Sequence, residues 1–135
     1  MTYPHRVLLI DDDDDDRYLF GLGLNEFDSS IELHCERDCE VAIQKLAAND
    51  IAVPDCFFLD WNMPKMSGRE CLIAIRAMPQ YNDVPIIVQT TCTCPEVKQE
   101  AEMFGAAYFY NKPSNLKELT QRFRQIFFNT SIGTR

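Results

Sequence analysis

Three acids and one lysine stand where apolar runs end. Asp11 and Asp12 directly follow Val7-Leu8-Leu9-Ile10, Asp60 directly follows Cys56-Phe57-Phe58-Leu59, and Lys112 follows Ala107-Tyr108-Phe109-Tyr110 and precedes Pro113. Carboxylates gathered at the ends of buried strands repel one another: two unit charges about 4 Å apart cost roughly 4 kcal/mol at an effective dielectric near 20. A divalent cation with the lysine beside it relieves that repulsion, and the arrangement suits the handling of a phosphoryl group. A carboxylate can itself attack phosphorus to give an acyl phosphate. Asp60 is the candidate, being the only acid between Asp55 and Glu70 and sitting where a strand meets a loop. Asp11 and Asp12 suit Mg²⁺, a hard cation that takes oxygen ligands. Lys112 can pair with a phosphoryl oxygen as a point charge, and Thr90 offers a hydroxyl. A cis bond before Pro113 is expected to help aim the lysine. A calcium loop starting at Asp11 is excluded, because its sixth position is Asp16 rather than Gly and its twelfth is Leu22 rather than Glu. Asp14 and Asp15, and in part Asp13 and Asp16, read as the solvated acidic start of a helix.

The elements that must position these residues alternate along the chain. Val7 to Ile10 and Cys56 to Leu59 read as fully buried strands, Ile31 to Cys35 as a half-exposed edge strand, and Ile86 to Val88 and Ala107 to Tyr110 as two more. Between them lie helices: Asp15 to Phe27, one capped by Asp38, one carrying Leu72 and Ile75 and ending before Pro79, one starting at Pro95, and a last one capped by Ser114. Leu116, Leu119, Phe123, Ile126 and Phe127 form the clearest amphipathic stripe of the chain. Gly21 and Gly23 weaken the first helix. Five strands alternating with five helices imply a parallel α/β sheet covered on both faces. Ligands of such sheets bind at the carboxyl ends of the strands. Asp11, Asp12, Asp60, Thr90 and Lys112 all fall on that rim.

Composition bounds the reading. With 135 residues, 46% hydrophobic and 25% charged, one domain with a real core is expected. The net charge of −8 argues against nucleic-acid or anionic-membrane partners. No apolar stretch approaches the length of a membrane span, and the first residues lack the layout of a secretion signal, so a cytoplasmic address is expected. The six cysteines (35, 39, 56, 71, 92 and 94) show no Cys-x-x-Cys spacing. They read as free thiols acting as small hydrophobes, with Cys92 set apart by its place near the rim.

Taken together, these segments resemble the receiver domain of bacterial two-component response regulators. The matching segments are Val-Leu-Leu-Ile-Asp-Asp at 7–12, Leu-Asp-Trp-Asn-Met-Pro at 59–64 with Gly68, Val-Pro-Ile-Ile-Val-Gln-Thr at 84–90 and Asn-Lys-Pro at 111–113. The resemblance covers about residues 5–128 and leaves 129–135 as a short tail. It implies a flavodoxin-like, doubly wound five-stranded sheet, strand order 2-1-3-4-5. It implies that Asp60 accepts a phosphoryl group from a phosphohistidine on a sensor histidine kinase or histidine phosphotransfer protein. Mg²⁺ would be bound by Asp12, Asp60 and the backbone carbonyl of Asn62, with Asp11 acting through water. Lys112 and Thr90 would hold phosphoryl oxygens, and Thr90 and Phe109 would form the switch. The fourth helix, fifth strand and fifth helix, roughly 95–128, would present the readout surface to a downstream protein, or pair two copies of the chain. With no output module after Phe128, a stand-alone receiver is expected.

Four positions qualify that expectation. Thr91 stands where the family generally has Ala or Gly, and its β-branched side chain is expected to slow phosphotransfer or exclude small phosphodonors. Asn62 and Cys92 occupy positions that govern hydrolysis in the family, and neither supplies a carboxylate, so a partner phosphatase is expected to set the phosphoryl lifetime. Ser67 replaces a frequent Asp before Gly68, a change of turn. Two other functions fit parts of the pattern. Haloacid dehalogenase-like phosphatases carry an Asp-x-Asp after their first strand, which Asp11 and Asp13 match, but that reading leaves Asp60 without a role. A phosphorylation-independent adaptor would not need the full set of site residues.

Overall fold

The three central strands are apolar almost end to end, and such runs demand cover on both faces. In the computed structural model, which describes residues 4–91 and 94–129, they are β1 (Arg6–Ile10), β3 (Cys56–Asp60) and β4 (Ile86–Thr90). β2 (Glu32–Glu36) and β5 (Tyr108–Asn111) form the edges of one parallel sheet ordered β2-β1-β3-β4-β5. This is the flavodoxin-like order expected from the resemblance.

Alternation along each strand sorts side chains between two cores. Leu8, Ile10, Phe57, Leu59, Ile86 and Val88 face α2 (Cys39–Ala47), α3 (Gly68–Arg76) and α4 (Pro95–Met103). Val7, Leu9, Phe58, Ile87 and Tyr110 face α1 (Asp14–Phe27) and α5 (Leu116–Asn129). The second core is aromatic: the Phe20 ring meets Phe58 edge-on at 4.9 Å and Phe123 at 5.0 Å. Gly23 explains why α1 tolerates a poor helix former, since a Cβ there would lie 2.8 Å from Leu119 Cδ2 on α5.

Several expectations need correction. β4 runs on through Gln89 and Thr90, because Gln89 pairs in register with Asp60 on one side and Tyr110 on the other. The cap of α5 is Asn115, not Ser114: its Oδ1 accepts from the Glu118 N–H at 2.9 Å. No cis peptide bond occurs among the described residues. Instead, the Lys112 N–H donates to the Thr90 carbonyl at 2.8 Å, which carries the β4–β5 pairing past the strand end and directs the lysine. The cysteines are not all free. Cys39 and Cys71, 32 residues apart, form a disulfide with Cα atoms 6.1 Å apart. Their helices lie side by side on one face of the sheet, which places the two thiols within bonding reach. Cys94 is also disulfide-bonded. Cys56 is buried as expected, whereas Cys35 keeps a free thiol that is exposed on the edge strand. Cys92 and the tail from residue 130 lie outside the described residues.

Candidate functional site

The carboxyl ends of β1, β3, β4 and β5 bring the expected residues together. Asp11 and Asp60 are buried, and they and Asp12 each offer a carboxylate oxygen, all within 4.8 Å of one another. Lys112 reaches into this group. Its Nζ lies 2.6 Å from Asp16 Oδ2, 3.0 Å from Asp11 Oδ2 and 3.3 Å from Asp60 Oδ2. Asp60 also accepts from the Asn62 N–H at 3.0 Å.

Burial and charge pull the protonation of these groups in opposite directions. Burial pushes the Asp11 carboxyl up to about 6, against the stabilising Asp13 N–H and Lys112. Asp60 is likewise raised, chiefly by burial, with Lys112 and the Asn62 N–H opposing. For Lys112 burial works against the charge, but the bond to Asp16 and the charges of Asp11 and Asp60 prevail, and its pKa lies above the usual lysine range. The pocket therefore holds a firmly charged lysine among carboxylates that are costly to ionise together.

Thr90 is fully buried, and its hydroxyl donates to Asn62 Oδ1 at 2.7 Å. The same oxygen accepts from the Thr91 N–H at 3.2 Å and from its hydroxyl at 3.3 Å. Thr91 itself is exposed. Phe109 is half-buried, packed against the core on the α2–α4 face. The loop after Asp60 is held from below by α3. Ser67 and Glu70 form a capping box at its start, and the Gly68 N–H donates to the Trp61 carbonyl at 3.1 Å. A Cβ on Gly68 would meet the Trp61 backbone and sit 2.6 Å from the Asp60 carbonyl oxygen, so only glycine lets α3 approach the acceptor strand this closely.

Four participants escaped the sequence reading. Asp16, assigned in part to a solvated helix start, bonds Lys112. Asp13 caps α1 through the Asp16 N–H, at 2.8 Å, which takes the second acid of the Asp-x-Asp spacing away from any phosphatase role. Arg17 donates to the Asp11 carbonyl at 2.8 Å and pairs with Asp14. Gln89 donates to Asp11 Oδ2 at 3.0 Å and accepts from the Tyr110 hydroxyl at 2.7 Å. The available signal for Gln89 was a polar residue continuing an apolar run. Helix periodicity was the signal for Arg17 and Asp16, since both fall in the first turn after Asp13.

Among the described residues no helix is long and apolar enough to cross a membrane. Residues 7–124 match the family model of the response regulator receiver domain. The transcriptional regulatory protein PrrA of Mycobacterium tuberculosis is 32% identical over 126 residues, covering 93% of this chain and 51% of that protein. The chain spans between a quarter and about half of the length of the first curated relatives it matches. The chemotaxis response regulator CheY4 of Vibrio cholerae is 33% identical with a TM-score of 0.75, covering 90% of this chain and 97% of that one. The Mn(2+)-bound form of the response regulator Rcp1 has the same fold, with a TM-score of 0.83 at 23% identity over 96% of this chain and 99% of that one. Matched across most of its length in sequence and in strand order, the chain belongs to the response regulator receiver domain family, a family of signalling domains.

Proposed function

We propose that Asp60 accepts a phosphoryl group from the phosphohistidine of a histidine kinase or phosphotransfer protein, and that the acidic pocket holds Mg²⁺ during the transfer. The observation that carries this is the meeting of the Asp60 carboxylate with Lys112 and two further carboxylates at the carboxyl ends of neighbouring strands. The donor set fits the cation. Asp11, Asp12 and Asp60 supply hard oxygens, and with Asp16 they outnumber the single positive charge of Lys112. The backbone carbonyl of Asn62, in a residue whose N–H already bonds Asp60, would add a ligand. Rcp1, the fold neighbour described above, has a Mn(2+)-bound form, which supports a divalent ion in this pocket. Bound Mg²⁺ would neutralise charge on the transferring phosphoryl oxygens.

In the transfer, an Asp60 oxygen forms the new bond to phosphorus. The phosphorus–nitrogen bond of the donor breaks, and its electron pair returns to the imidazole. Lys112 pairs with one phosphoryl oxygen. Thr90 and the Thr91 N–H take another, exchanging the Asn62 amide oxygen for it. That exchange, together with a shift of half-buried Phe109, would alter the surface formed by α4, β5 and α5, where a target protein or a second copy of the chain docks. The domain spans about residues 5–128, acts in the cytoplasm, and catalyses only its own phosphorylation and dephosphorylation. Phosphate-affinity gel mobility after incubation with a phosphohistidine donor and Mg²⁺ tests the reading. Wild type is retarded and Asp60→Asn is not; a labelled Asp60→Asn protein overturns it.

A further inference from the structure

We propose that Gln89 is a positioning residue of the cation site: its carboxamide, held one way round by Tyr110, fixes the Asp11 carboxylate for the metal. The inference rests on the reading of the pocket as a Mg²⁺ site.

Gln89 is only 3% exposed, directly before Thr90 in a strand that is otherwise apolar up to that point. An amide buried there is costly unless both its ends are bonded. Both are. Nε2 donates to Asp11 Oδ2 at 3.0 Å, and Oε1 accepts from the Tyr110 hydroxyl at 2.7 Å. Register explains the reach. Gln89 lies beside Asp60 on β3 and Tyr110 on β5, and its side chain extends past Asp60 to the end of β1. A carboxylate can only accept, so the amide nitrogen must face Asp11 and the amide oxygen must face Tyr110. The Tyr110 hydroxyl matches that orientation: it donates to the amide oxygen, and burial, which raises its pKa, keeps that proton in place. The Asp13 N–H holds the other Asp11 oxygen at 2.9 Å. Asp11 is thus clamped on both oxygens, and one clamp runs through a hydrogen-bonded chain that ends at a ring on β5. The Arg122 guanidinium of α5 stands 5.7 Å from the centre of that ring. Partners that orient metal-binding carboxylates in this way typically affect metal affinity about 10- to 100-fold.

The test is a Mg²⁺ titration of the full chain, followed by the fluorescence of Trp61, the single tryptophan and the neighbour of Asp60. Gln89→Leu should weaken binding by about tenfold and Tyr110→Phe by about threefold. The double variant should match Gln89→Leu alone, since Tyr110 acts through Gln89. The Gln89 side-chain amide signals in a nitrogen-proton NMR spectrum should also move when Mg²⁺ is added to wild type. Unchanged affinity in either single variant, multiplying effects in the double variant, or unmoved amide signals would each overturn the positioning role. Should Gln89→Leu fail to fold, Tyr110→Phe alone decides. Wild-type protein that binds no Mg²⁺, measured by calorimetry, would instead overturn the cation reading itself.

Discussion

On the α1 side of Asp60, Asp11 accepts from Asp13, Gln89 and Lys112, and Lys112 is shared with Asp16 and Asp60. On the β4–α4 side, the donors of Thr90 and Thr91 converge on one atom, the amide oxygen of Asn62. Strand alternation creates this division: Asp60 and Gln89 continue the face that carries Phe58 and Ile87, whereas Thr90 continues the face of Ile86 and Val88. The first side is tied by buried ionic and amide bonds spread over the ends of four strands and one helix, α1. Among the described residues, the second is tied through a neutral side chain, that of Asn62, beside exposed Thr91. A pocket built this way can keep its charged groups still while one wall exchanges partners, which is what a two-state switch requires.

Removing the lysine should do most damage to the tied side. Lys112→Ala leaves Asp11 and Asp60 facing each other without their cation, and losing one partner of a buried ionic group typically costs about 3 to 5 kcal/mol. Denaturant unfolding without divalent ions measures that loss. Added Mg²⁺ should then stabilise the variant by more than it stabilises wild type, since the dication takes over charge that the lysine no longer balances. Equal gains in the two proteins would mean that Lys112 and the metal do not answer the same repulsion.

A covalent brace lies under the exchanging side. Cys39 and Cys71 join the first turns of α2 and α3, and α3 carries the loop that holds Asn62. Closing a loop of this length contributes about 2 to 4 kcal/mol. The Cys39→Ala/Cys71→Ala pair should lose about that much against unreduced wild type in urea unfolding. Mg²⁺ affinity should change by less than about twofold, because neither sulfur touches a carboxylate of the pocket. A large fall in affinity would show that the brace reaches the tied side as well.

How much of this the sequence disclosed follows from what kind of signal each feature leaves. Asp60, Thr90 and Lys112 were found because apolar runs end beside them, and strand ends define the rim of a parallel sheet. The strand order itself came with the family resemblance rather than with periodicity. Gln89 was passed over because a polar residue after Ile86-Ile87-Val88 reads as the end of a strand. Its partners lie 78 residues before it and 21 after it, and no local pattern announces them. The Cys39–Cys71 bond is invisible for the same reason, since only the packing of α2 beside α3 creates it. Asn62 was singled out by its position two residues after Asp60. What it does, offering its side-chain oxygen to Thr90 and Thr91, depends on a loop shape that Gly68 and the α3 cap impose from outside the loop.

That oxygen gives the mildest test of the contrast. Asn62→Ala removes one neutral acceptor, so the stability cost should be only about 1 kcal/mol. The Thr91 amide proton should move upfield once its bond is lost, while Mg²⁺ affinity stays near wild type, because Asp11 and Lys112 keep all their partners. Asn62→Asp restores an acceptor at the same atom and should return the Thr91 signal toward its original position, provided the carboxylate stays in the loop geometry of the amide. If instead Asn62→Ala weakened Mg²⁺ binding as strongly as Gln89→Leu is expected to, the two sides would be one mechanical unit. The exchange of Asn62 for a phosphoryl oxygen would then disturb the metal ligands rather than leave them in place.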